Sequence, residues 1–158
     1  LVGNDLMTAC NTTLLDDPTV LSFNHQRWLL SHGDALCLDD VDYMQFRKQV
    51  RSADWQQTFL AQTLAERQAI GHDLRKQSEA RKSSSADCAD VHENTTRQWL
   101  RQAESATLIH GHTHKPAVHD LGDGLQRVVL SDWDAAAIPP RAEVLRLSPQ
   151  GLERIRLL

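Results

Sequence analysis

Cysteine is scarce and unpatterned: Cys10, Cys37 and Cys88 are odd in number, far apart and never in a Cys-x-x-Cys spacing. Neither a disulfide framework nor a thiolate zinc site is expected, and a reducing compartment fits best. Long apolar runs are missing too, since no stretch approaches the roughly 18–20 residues of a membrane-spanning helix. Nor is there an excess of positive charge. Seventeen Lys and Arg stand against 21 Asp and Glu, a net −4, which argues against a nucleic-acid binder held by bulk charge. The sequence opens on Leu1-Val2-Gly3 with no initiator Met, basic region or signal-like apolar segment, so a piece of something longer is expected.

What is present suffices for one globular domain: 158 residues, 41% apolar and 24% charged. The compositional anomaly is eight histidines. Residues 1–18 are mixed and polar and end in a turn at Asp16-Asp17-Pro18. From Val20 to Leu30, two apolar segments are interrupted by Asn24-His25-Gln26-Arg27, which predicts a hairpin whose second strand is Arg27 to Ser31. Between Asp40 and Lys82 the period becomes helical, with Tyr43, Phe46 and Val50, then Trp55, Phe59, Leu60 and Leu64, predicting two or more amphipathic helices. Eight basic and five acidic residues give residues 41–82 a charge of +3. Lys82-Ser83-Ser84-Ser85 reads as a loop, and Asp90 with Glu93 as the start of a helix to about Ala103. Strands are predicted at Ala106 to Ile109, Arg127 to Leu130, Ala142 to Leu147 and Leu152 to Leu158, with a turn at residues 120–124.

Two predicted strand ends deliver histidine on a glycine-bearing turn: Ser31-His32-Gly33-Asp34 and Ile109-His110-Gly111-His112-Thr113-His114. Strand C-termini are where open α/β folds build their sites. Alternation places His110 and His112 on one side, where imidazole with oxygen ligands would suit Mn²⁺, Zn²⁺ or Fe. His32 and His110 could equally be satisfied core histidines. His114 is open between a supporting, a substrate-facing and a structural role. His25, His72, His92 and His119 have no partner pattern and are expected at the surface; Asp90-Val91-His92 is read as coincidence.

His-Gly-Asp followed by Gly-His-Thr-His, each after an apolar strand, resembles the calcineurin-like metallophosphoesterases. The context from Ser31 through Tyr43, Gln45-Phe46-Arg47, and Ile109 through His119 is similar to the branch that cleaves UDP-2,3-diacylglucosamine in Gram-negative lipid A biosynthesis. The resemblance implies an α/β sandwich of two sheets flanked by helices, with a helical lid inserted at about 40–85. It aligns Leu1-Val2-Gly3 with the end of a family turn, so the N-terminal third, with its Asp-x-His, Gly-Asp-x-x-Asp and Asn-Arg elements, is expected to be absent. It further implies that His32 and His110 bind one Mn²⁺ and His112 the other. Asp40, Ser78, Arg81, Lys82 and His110 would contact substrate. A bridging hydroxide would attack the α-phosphorus, giving UMP and 2,3-diacylglucosamine 1-phosphate with no covalent nucleophile. The implied location is the cytoplasmic face of the inner membrane, as a peripheral protein. Two alternatives stay open: another calcineurin-like phosphoesterase, and an inactive fragment or binding module, since three histidines lack an oxygen ligand to share between two cations.

Overall fold

A computed structural model describes residues 3–84 and 90–158, without the side chains of residues 79–84. The chain divides into two compact units, Leu1–Gly33 with Glu93–Leu158, and Asp34–His92.

The first unit is built on a five-stranded mixed sheet. Its strands are β1 (Thr19–Phe23), β2 (Gln26–Ser31), β3 (Thr107–His110), β4 (Val118–Gly122) and β5 (Leu125–Val129), in the order β1-β2-β3-β5-β4. Pairing is parallel for β2 with β3 and β3 with β5, and antiparallel at both edges. Each edge pair closes through a two-residue loop: Asn24 and His25 at φ 50° and 59°, Asp123 and Gly124 at φ 53° and 73°. Left-handed φ at both loop positions is the twist that right-twisted strands accept, and Asn, Asp and Gly tolerate it best.

The central strands bury Trp28, Leu29, Leu108, Val128 and Val129. Helix α5 (Glu93–Gln102) adds fully buried Leu100 and Thr96, and its Arg97 Nε donates to the Leu121 carbonyl of β4 at 2.7 Å. A separate antiparallel hairpin, β6 (Glu143–Ser148) and β7 (Gly151–Arg156), reaches the main sheet through Arg154, which donates to the Val129 carbonyl at 2.8 Å.

Two elements depart from the sequence reading. A short helix α1 (Asn4–Ala9) forms in the mixed, polar stretch before the Asp16-Asp17-Pro18 turn, where no element is predicted. His119, expected in a surface loop, lies half-buried on β4. The segment Val118-His119-Asp120-Leu121-Gly122 is too short and too polar to announce a strand. It forms because β5 supplies a ladder partner.

The second unit carries a short 3-10 turn, Asp34–Leu36, and helices α2 (Val41–Val50), α3 (Ala53–Leu60) and α4 (Leu64–Ser84). Each helix has its own start signal. Asp40 accepts from Tyr43 N at 2.9 Å and Ser52 from Trp55 N at 3.3 Å. Thr63 and Glu66 exchange reciprocal bonds, Thr63 N to Glu66 at 2.8 Å and Glu66 N to Thr63 at 3.4 Å. Helix α4 runs through Lys82, Ser83 and Ser84, residues read from composition as a loop, and Ser85 lies outside the described residues. Among the described residues, no helix is long and apolar enough to cross a membrane.

Candidate functional site

Parallel pairing sets Ser31 of β2 opposite His110 of β3, so the two histidine-bearing turns leave the sheet side by side. The ladder runs one step further, with Gly111 N donating to the His32 carbonyl at 3.1 Å. Gly33 then crosses the His110 ring at φ +101°, where an added Cβ would meet His110 Nδ1 at 2.8 Å. Only glycine fits there, both for conformation and for space.

His110 is fully buried. Its Nδ1 lies 2.9 Å from the Gly111 carbonyl, and its Nε2 lies 3.4 Å from Nη1 of Arg127 on β5, itself buried. A carbonyl only accepts and a guanidinium only donates, so Nδ1 carries the proton and the ring is neutral. His32 is exposed and His112 half-buried; their rings meet edge to face with centroids 5.0 Å apart. His112 and His114 hold left-handed φ of 65° and 53°. For residues other than glycine that conformation is costly and concentrates at functional sites. Between them, Thr113 Oγ1 is buried with no hydrogen-bond partner among the described residues. Beyond the loop, Arg141 grips both oxygens of Asp132 at 3.0 and 2.8 Å and holds that carboxyl below the usual range, with a smaller contribution from His114.

The three histidines proposed as ligands are therefore on one end of one sheet, His32 beside His112 and His110 behind Gly33. As cation ligands they are right in kind and short in number. No group of three His, Cys, Asp or Glu side chains that could hold a metal converges among the described residues. The described residues do not complete a cation site by themselves.

In the second unit, Asp40 is exposed and caps α2, and Ser78 is exposed on α4. Arg81 and Lys82 lie on the α4 backbone, but their side chains are outside the described residues. Asp34, which follows Gly33 in the first histidine turn, is buried. It accepts from Arg47 Nε at 2.8 Å, Arg51 Nη2 at 3.0 Å and the Tyr43 hydroxyl at 3.3 Å. Burial first, then the Asp34 charge, pushes Tyr43 up to about 12. A signal for this cluster was present: Tyr43, Arg47 and Arg51 recur every fourth residue and share a helix face. Trp55 and Phe59 stack with centroids 4.9 Å apart.

Sequence comparison adds the relatives. No protein-family model matches the chain. It is 49% identical over 99% of its length to the UDP-2,3-diacylglucosamine hydrolase of Chromobacterium violaceum, spanning 65% of that protein. The proteins of the same name from Bordetella pertussis and Chromohalobacter salexigens are 40% and 39% identical over 97% and 99% of the chain, which spans 61% and 63% of them. Nearly every residue of the chain thus lies within the matched region, while the chain spans somewhat less than two thirds of these UDP-2,3-diacylglucosamine hydrolases, to which it is similar along its length.

Proposed function

We propose that this chain is the histidine-bearing part of an enzyme that hydrolyses the pyrophosphate bond of UDP-2,3-diacylglucosamine to UMP and 2,3-diacylglucosamine 1-phosphate in lipid A biosynthesis. The observation that carries the reading is that parallel pairing of Ser31 with His110 sets the two histidine turns side by side, with the His32 and His112 rings in contact, in a chain whose relatives bear that name. His32, His110 and His112 would contribute to holding Mn²⁺, together with oxygen ligands that the described residues do not supply. Bound divalent cations supply charge neutralisation at the phosphoryl oxygens and an acidified water.

The chain's own residues have the remaining work. Arg127 and the Gly111 carbonyl fix the orientation of the His110 ring, and Nε2 would exchange its Arg127 contact for a cation in order to ligate. Gly33 lets the two turns approach. Asp40, Ser78, Arg81 and Lys82 are proposed to bind the substrate's polar part, and the stacked Trp55 and Phe59 its acyl chains. Peripheral association with the cytoplasmic face of the inner membrane goes with this reading. Its supports are the amphiphilic substrate and the net +3 of residues 41–82.

The test is UMP release from UDP-2,3-diacylglucosamine beside hydrolysis of an aryl phosphate, using the chain extended to the length of its relatives. Selective release of UMP, lost in His112→Ala, supports the proposal; equal turnover of both substrates favours a general phosphoesterase. An imidazole-only donor set also favours a second reading for the 158 residues taken alone, that of a binding module or inactive fragment. Two Mn²⁺ bound per 158-residue chain would exclude it.

A further inference from the structure

The geometry points to Asp17 as a positioning residue for His32. This rests on the functional reading above, yet the contacts stand independently of it. Asp17 lies just before β1, and its carboxylate reaches across to the end of β2. Oδ1 accepts from the Ser31 hydroxyl at 2.6 Å, and both oxygens lie 3.3 Å from the His32 N–H. The Ser31 hydroxyl in turn accepts from Gly33 N at 3.0 Å. A carboxylate can only accept, so the direction of the relay is fixed: Gly33 to Ser31 to Asp17.

These bonds fall one residue past the last ladder pair, Ser31 with His110, where β2 would otherwise fray. The His32 peptide is held on both sides, its N–H by Asp17 and its carbonyl by Gly111. Gly33, held through Ser31, is the residue seated against the His110 ring. One acidic side chain thereby fixes three consecutive residues that connect the two histidine turns. Ligand geometry tolerates little looseness, and support of this kind is what supplies it. Asp17 is exposed, so its removal opens no cavity, and the change in global stability should stay small. That separates positioning from folding.

The experiment uses the full-length protein with Asp17→Ala, Asp17→Asn, Ser31→Ala and a His32→Ala control. Two quantities are read: amide hydrogen exchange at residues 31–33, and Mn²⁺ affinity by calorimetry with the metal alone as probe. Asp17→Ala should speed exchange at His32 and Gly33 about tenfold and weaken Mn²⁺ about 10- to 100-fold, at a nearly unchanged melting temperature. Asp17→Asn, which keeps one acceptor oxygen, should fall between, and Ser31→Ala should free the Gly33 amide most. Wild-type exchange at His32 together with wild-type Mn²⁺ affinity in Asp17→Ala would overturn the assignment. If His32→Ala binds Mn²⁺ as tightly as wild type, the metal reading fails, while the exchange data still decide whether Asp17 holds the turn.

Discussion

Arg47 Nε lies 2.8 Å from a carboxylate oxygen of Asp34 whose side chain is only 3% exposed, while Arg47 itself is 19% exposed. A carboxylate withdrawn from water this far needs its cations, and Arg51 and the Tyr43 hydroxyl complete the set. The pair joins α2 to the turn that begins at Asp34.

Removing the anion should therefore be costly. Asp34→Ala leaves three donors facing one another and should lower the unfolding free energy by about 2–3 kcal/mol, less than for a fully buried pair because both arginines retain some water. Urea denaturation of wild type and variant measures it; a change within experimental error would show that the contact contributes nothing net.

Tyr43 is the only tyrosine in the sequence, so its ionisation can be followed without interference. With its folded-state value pushed up to about 12, absorbance at the phenolate band should stay flat through pH 10 and rise near 12. The linkage has a definite sign. A group raised on folding contributes stability that is complete below about pH 10 and lost as pH climbs to the folded value. Asp34→Asn should bring the midpoint down. A wild-type midpoint at 10 would contradict the buried environment.

Gly33→Ala places a methyl 2.8 Å from His110 Nδ1 and forces φ of +101° on a residue that resists it. We expect a loss of about 1–3 kcal/mol, with a displaced His110 ring visible as a shifted imidazole resonance. A wild-type melting curve would mean that the two turns separate freely.

Trp55→Asp or Phe59→Asp should weaken kcat/KM for the diacylated substrate about tenfold more than for a non-lipidated analogue, since each ring would lose the burial of a large apolar side chain. Equal effects on both substrates would reduce the Trp55–Phe59 stack to packing.

Much of this was legible in one dimension, and the limits have physical causes. The β1–β2 hairpin, α5, the β6–β7 pair and both histidine turns carry their own periodicity and turn chemistry, so local reading found them. Strand β4 did not, because its stability comes from β5 rather than from its own residues. Helix α4 overran its serine-rich end because a helix already propagating tolerates polar residues that would not start one. At the site, sequence supplied His32, His110 and His112 but not Asp17 or Arg127. Those act through contacts 15 and 17 residues distant in the chain, and neither belongs to a motif.

The register of β2 on β3 has one further consequence. Ser31 and His110 are paired by main-chain hydrogen bonds, which every residue except proline can make. The spacing of the two histidine turns is therefore set by backbone pairing at the strand ends rather than by the side chains threaded between residues 34 and 92. A lineage could rewrite much of residues 34–92 and inherit the two adjoining histidine turns unchanged.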